Sequence, residues 1–511
     1  MLGRSFKLIF LSILLYFTSI TVNGRNRVVV TQENVINAFS TPNTVYIINS
    51  RIDFQQATLV IPQGSTLRFG RKAYLFNGSL TGNKTKLRRL RKSSIGIILN
   101  GTWQISEIKD SFFDWTVLTD NQILDNVSIL QSENVDNVVY LSKPQYNIIL
   151  TANHKYGLVL KSNTRLSISS HIKIQGNNLP HYAIVYISEA NNIIIKGGQL
   201  EGDVGGHTYR EGNSSQWGFG LAIITSSNIT VSGVHISKCI GDGIYIGGGK
   251  GVIGEFTNAC KSIIIQDVVS EDNRRQGISI TYADNVIVKN SIFKDTGKTE
   301  FVRPGCGMDI EPNIGQSVRN VIVDNCKFLN NDKVLNVSIG GYQVEGNRCN
   351  VEQIRFVNCE VTGYLSIRTG SVEINGCDLV ALSIHLAIMP KEKVRIIDTR
   401  IKGGAGVRIR SVGDIVEGNN ASRYLFDGCD ISASKASGYA LFGTINHKGN
   451  EQAAEFVFNH CRIEIPNEEK FQLIQKGCVC DFSFEGCTII THGQNVDVVR
   501  DLSNNRVIVA E

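Results

Sequence analysis

Beyond its first two dozen residues the sequence has no run long and apolar enough to cross a membrane as a helix. It has no basic segment with interleaved aromatics, and a formal charge of +6 over 511 residues is modest, so neither feature calls for a nucleic-acid partner. No Ser–His–Asp arrangement, P-loop or dinucleotide fingerprint occurs; Gly247-Gly248-Gly249 reads as a flexible corner with no helix after it. No second cysteine pair matches Cys478-Val479-Cys480, as a structural zinc site would need. Proline is scarce, 8 residues against 49 glycines.

What is present begins with a leader. Arg4 and Lys7 precede an apolar run from Leu8 to Ile20, and Val22 and Gly24 suit a cleavage site, so residues 1–24 read as a signal peptide. The mature chain is expected to be exported, to the periplasm, cell surface or medium. The 12 cysteines would ordinarily suggest disulfides in such a protein. Six of them, Cys326, Cys359, Cys377, Cys429, Cys461 and Cys487, instead recur in one context, each followed two residues on by Phe, Val, Leu or Ile. That is an apolar repeat position, where free thiols stack as small hydrophobes; disulfides and a metal site are the alternatives. Lys84, Lys86, Arg88, Arg89, Arg91 and Lys92 form one basic run, read as a solvated loop or a contact for an acidic glycan.

The stretch from Gly241 to Asn313 holds one strand written three times: Asp242-Gly243-Ile244-Tyr245-Ile246-Gly247, Gln276-Gly277-Ile278-Ser279-Ile280-Thr281 and Cys306-Gly307-Met308-Asp309-Ile310-Glu311. Each is a glycine followed by period-2 alternation, with Ile and Met in the buried phase. Tyr245, Ser279, Asp309, Gly247, Thr281 and Glu311 take the outward phase. The spacing is too long for hairpins and suits successive turns of a solenoid, whose stacked strands would join the outward residues into one patch.

Residues 25–162 read as an N-terminal cap with the first turns, and include one amphipathic helix near 120–131 with Asp120 as its N-cap. Residues 163–511 read as regular repeats. The triplets Ile172–Ile174, Ile193–Ile195, Ile229–Val231, Ile263–Ile265, Val286–Val288 and Val321–Val323 read as equivalent strands, most preceded by a corner residue: Asn192, Asn228, Ser262, Asn285 or Asn320. Asn tolerates left-handed corners. No linker or second domain is apparent in the pattern.

The fold class is therefore all-β, a solenoid of parallel strands. The strand–Asn–strand turn resembles the right-handed parallel β-helices of the pectate-lyase-like superfamily, and within it exported bacterial and phage proteins. Ser65–Phe69, Asn77–Leu80, Gly101-Thr102-Trp103, Gly241–Ile246, Asn273–Ile280 and Gly307–Asn313 carry the resemblance. It implies the fold but not one function, because that superfamily holds hydrolases, lyases, epimerases and non-catalytic shafts.

Asp309 and Glu311 are the leading catalytic candidates. At i and i+2 they share a face, with Cα atoms about 6.6 Å apart. Inverting glycosidases separate their carboxyl groups by roughly 6.5–9.5 Å, so this spacing suits inversion. Asp242, at a corner, is the third carboxylate; clustering would raise one pKa. Arg274 and Arg275 stand at a corner before the middle strand, one expected to be structural and one to face the groove. The Gly-rich insertion from Gly202 to Gly220 gathers His207, Tyr209, Arg210 and Trp217 for contact with sugar, and Tyr245 and Tyr282 would line the same groove. The expected partner is a polysaccharide, cut by a glycoside hydrolase needing no cofactor. A lyase or epimerase using His207 or a tyrosine as base, with the possibility of Ca²⁺ on the acidic pair, is the alternative, and a non-catalytic glycan-binding module is the third. The chain is expected as a monomer or a homotrimer.

Overall fold

The computed structural model describes residues 26–209, 216–248, 258–298, 305–332, 335–340, 349–386, 393–403, 406–411, 422–433, 440–445, 454–465, 472–474, 481–492 and 506–509. The leader, Arg210 and the Cys478/Cys480 pair lie outside them. The chain forms two compact units, one of Met1–Ile149, Gly157–Ile172 and Asn191–Ile195, the other of Leu150–Tyr156, Lys173–Ala190 and Lys196–Glu511.

In the first unit, short strands stack in parallel. Tyr46, Leu67 and Leu87 stand in register on Val45–Ile48, Thr66–Phe69 and Tyr74–Arg88, and all three are buried. One helix, α1 (Asp120–Leu130), covers part of this core with Ile123, Leu124, Val127 and Leu130. Asn126 pins it: its side chain accepts from Leu99 N at 2.8 Å and donates to Ile97 O at 3.0 Å, satisfying backbone groups of Ile95–Gln104 that the helix would otherwise strip of water. The N-cap is Thr119, one residue before Asp120. A capping box forms, with Thr119 Oγ1 accepting from Gln122 N and Gln122 Oε1 accepting from Thr119 N. Asp120 is committed elsewhere, to Lys143 and to Asn147 N.

The second unit contains the repeats, and its strands follow one another in parallel. Among the described residues, seven strands of one 24-stranded sheet carry the site: β1 (Trp217–Ile224), β2 (Asp242–Gly247), β3 (Gln276–Ile280), β4 (Cys306–Ile310), β5 (Leu335–Ile339), β6 (Glu360–Ile367) and β7 (Asp378–Leu386). Ile244, Ile278, Met308, Val337, Leu365 and Leu382 stand in register from β2 to β7 and are all fully buried. Burial of an aliphatic row like this, at about 1.5–3 kcal/mol per side chain, is what fixes the register. A second sheet stacks Ile229, Ile263, Val286, Val321 and Ile354 in the same way. The Ile172–Ile174 triplet is not their equivalent, because it belongs to the first kind of sheet.

The corners follow the sequence reading. Asn192, Asn228, Ser262, Asn285 and Asn320 all have φ between 53° and 61°, the left-handed region. Asn285 bonds Ser262 Oγ at 3.3 Å, and Asn320 bonds Asp284 Oδ1 at 2.7 Å. The glycine at the second position of each site strand is there for space. A Cβ on Gly277 would stand 2.5 Å from Gly307 O, and one on Gly243 would stand 2.1 Å from Ser270 Oγ. The ten described cysteines are buried. In the six repeat cysteines the thiol donates to the carbonyl two residues earlier, at 3.3–3.5 Å. Cys359 N donates to Cys377 Sγ and Cys377 N to Thr399 Oγ1, each at 3.3 Å, so thiols stack from turn to turn but a threonine interrupts the row.

Candidate active site

Parallel pairing sets Tyr245, Ser279, Asp309, Ser338, Ser366 and Ser383 in one row across β2 to β7. The row is continuous as the alternation requires, but it is not open to solvent. Tyr245, Ser279 and Asp309 are each 3% exposed or less. Period-2 patterning says which side of a sheet a residue takes, not what covers that side.

Asp242 opens β2 as its first residue and is fully buried. Both its oxygens accept from Arg275 Nη1, at 3.1 Å each, and Oδ2 also accepts from Ser279 Oγ at 2.6 Å. Arg275 Nη1 further donates to Gln276 Oε1 at 2.9 Å. Gln276 Nε2 donates to Asp309 Oδ2, and Ser279 Oγ also abuts Gln276 Oε1. Asp309 Oδ1 is buried with no hydrogen bond among the described residues. Glu311 lies just beyond β4, its side chain 21% exposed, with Arg368 Nη1 at 3.8 Å from Oε1.

Burial raises the pKa of all three carboxyl groups. Asp242 is pushed up to about 6, with Arg275 and Ser279 opposing the rise and Asp309 adding to it. Asp309 is raised by burial against the charges of Arg275 and Arg368. Glu311 is pushed up to about 8 by burial and by the Asp309 charge, with Arg368 and Arg275 opposing. The Asp309 and Glu311 side chains hydrogen-bond each other and each shifts the other, so the carboxyl groups stand closer than the separation expected for inversion. Arg275, though buried, is held charged by Asp242, then Asp309 and Glu311.

The corner arginines diverge as expected. Arg275 turns to Asp242, while the Arg274 guanidinium stacks over the Tyr209 ring at 4.2 Å. Tyr209 leans on His207, with ring centroids 4.7 Å apart. His207 Nδ1 bonds Asp203 Oδ2 at 3.0 Å, and Asp203 Oδ1 accepts from Tyr182 OH at 2.5 Å. His207, Tyr209 and Arg274 thus form one cluster. Trp217 is placed otherwise, its ring stacked on His181 at 5.3 Å. Tyr245 stacks on Phe219 at 4.9 Å, with its hydroxyl 2.9 Å from Thr281 Oγ1. At 3% exposure it offers no face for a sugar, contrary to the platform reading. Tyr282 is half-buried at the corner after β3, its carbonyl accepting from Cys260 N. The six basic side chains from Lys84 to Lys92 are exposed, but Lys84, Lys86 and Arg88 stand on the strand Tyr74–Arg88 and not in a loop, because the alternating Thr85 and Leu87 pack inward. Among the described residues no group of three His, Cys, Asp or Glu side chains could hold a metal ion.

The sequence pattern does not single out two of the site residues. Gln276 sits inside the repeated strand, where the alternation marks it only as a spacer. Arg368 follows β6, and only the register that pairs Ile310 with Ile339 and Ile339 with Ile367 brings it beside Glu311.

The right handed beta helix region family model matches residues 145–310 and 219–385. The chain is 26% identical over 282 residues to the SPbeta prophage-derived uncharacterized protein YorA of Bacillus subtilis (strain 168), covering 52% of this chain and 47% of that one. It is 30% identical over 203 residues to the uncharacterized protein YclG of the same strain, covering 37% of this chain and 35% of that one. The match thus spans about half or less of each curated relative. Among solved structures, the catalytic domain of a GH87 alpha-1,3-glucanase in complex with tetrasaccharides is similar at 12% identity, over 72% of this chain and 66% of that chain, with a TM-score of 0.48.

Proposed function

We propose that this right-handed parallel β-helix is an exported polysaccharide-degrading enzyme, a glycoside hydrolase that works through Asp309 and Glu311. One observation carries the reading: two carboxyl groups stand together at one strand end, burial raises the pKa of both, and one of them is still accessible. A general acid must be protonated at working pH and its partner ionised. Glu311, raised to about 8 and partly exposed, suits the acid. Asp309 is assigned the base, with the charges of Arg275 and Arg368 opposing the rise that burial causes.

In the step, Glu311 gives its proton to the glycosidic oxygen as the C–O bond breaks. Water attacks the anomeric carbon and loses a proton to Asp309. Glu311 then stands ionised and Asp309 protonated, and transfer within the pair restores the starting state. Asp242, fully buried with both oxygens engaged, contributes charge rather than contact with substrate. Arg368, with its side chain a third exposed beside Glu311, suits a glycan bearing carboxylate or sulfate groups, whereas Arg274 is buried on Tyr209.

Product chemistry tests the reading. On a panel of neutral and uronic-acid glycans, hydrolysis releases reducing ends without the ultraviolet absorbance of unsaturated sugars. Absorbance rising with reducing ends, and abolished by chelator, would make the protein a metal-dependent lyase. Binding without product would make it a glycan-binding module.

A further inference from the structure

The hydrogen bonds around Gln276 have a direction that is fixed by one partner. Arginine only donates, so the Gln276 atom 2.9 Å from Arg275 Nη1 is the amide oxygen. Its NH₂ therefore faces Asp309 Oδ2, and donates. An amide presenting its oxygen to one side and its N–H to the other relays polarity without itself ionising.

We propose that Gln276 is the positioning residue of the carboxylate cluster, its amide holding Asp309 as a proton acceptor and linking Asp309 to Asp242 through Ser279. The inference rests on the assignment of Asp309 and Glu311 as the reacting pair. The linkage has two states. With Asp242 ionised, the single Ser279 hydrogen goes to Asp242 Oδ2. With Asp242 protonated, the carboxyl O–H donates to Ser279 Oγ, and the Ser279 hydrogen turns to Gln276 Oε1, which it already touches. A donor on that oxygen polarises the amide and strengthens its N–H bond to Asp309. No bond is made or broken in the protein beyond the proton that Asp242 takes from water. Protonation of Asp242 thus favours the ionised form of Asp309 by two routes, one fewer negative charge nearby and a stronger donor.

Other groups face Asp309 and are accounted for. Glu311 and the Cys306 thiol lie on its own strand and just beyond it, Arg275 and Ser279 come from the preceding turn, and Arg368 and Ser338 come from the following strands. Ser338 and Glu311 also interact with the Asp309 carboxyl through their side chains, and Gln276 Nε2 donates to its Oδ2.

The test is a carboxyl ¹³C NMR titration of the full chain, labelled at Asp and Glu, with Asp309 identified by its loss in Asp309→Asn. In Gln276→Leu the Asp309 midpoint moves up by about one pH unit or more, the effect of removing one donor to a carboxylate. The shift that Asp242→Asn causes at Asp309 shrinks in the Gln276→Leu background. Gln276→Glu keeps the volume and serves if Gln276→Leu fails to fold: its new carboxyl competes with Asp309 for a proton, and the two titrate over a widened range. An Asp309 midpoint unchanged in either folded variant overturns the inference. A shifted midpoint in a protein that cuts no glycan leaves this inference standing and removes the hydrolase reading.

Discussion

Asp242 and Arg275, 33 residues apart in sequence, meet through both carboxylate oxygens on a single guanidinium nitrogen, at 3.1 Å each. The pair is buried, with side-chain exposures of 0% and 17%. It anchors one end of the hydrogen-bonded run that leads through Gln276 to Asp309. Removing one member leaves a buried charge uncompensated. Arg275→Leu is expected to cost about 3–5 kcal/mol at pH 7. The loss should shrink towards pH 5, where Asp242 takes up its proton. Chemical denaturation at the two pH values measures both.

The raised carboxyl groups make stability fall as pH rises. Asp242 goes from an ordinary 3.8 to about 6 on folding, and Glu311 from 4.5 to about 8. The folded chain therefore binds more protons than the unfolded one between those values, and stability present below the lower value is lost as pH rises through the upper. The melting temperature should drop between pH 5 and pH 8.5. Glu311→Gln should flatten the slope above pH 6, and Asp242→Asn the slope below it. A wild-type melting temperature that rises over this range would contradict the assignments.

The pH dependence of turnover carries the same signature on its basic limb. Glu311 must hold its proton, so activity should fall as pH rises past about 8. Arg368 lowers that value, so Arg368→Met should move the basic limb upward and raise KM on an acidic glycan more than on a neutral one. Initial rates across pH on both substrates check this.

How much of this is legible in the sequence depends on which physical rule each feature obeys. Met308 and Ile310 set the phase of β4, and that phase alone puts Asp309 and Glu311 on one side of the strand. The corner asparagines follow from backbone sterics, which are local. The platform reading of Tyr245 fails because alternation gives the side and not the cover over it. The N-cap falls at Thr119, one residue before Asp120, because an acidic N1 and an N-cap look alike without the reciprocal bond to Gln122. Arg368 depends on register across β5, where the pairing with β6 shifts between Leu335 and Val337, and no local pattern predicts such an irregularity.

The thiol stack offers a check independent of chemistry on sugar. Cys326, Cys359, Cys377, Cys429, Cys461 and Cys487 are buried and bonded to carbonyls. A thiol reagent should label none of the six in the native protein and all of them in denaturant without reductant. Labelling that requires reductant would mean disulfides.

The most direct measurement is the rate of reducing-end release by Glu311→Gln at the wild-type pH optimum, on whichever glycan the unaltered chain cleaves. Loss of the general acid should lower kcat by about 10²–10⁴-fold, with the fold retained, as circular dichroism would show. A variant that folds and cleaves at the wild-type rate would contradict the account, because Asp309 is assigned the opposite, proton-accepting role and Asp242 is fully buried with both oxygens engaged by Arg275.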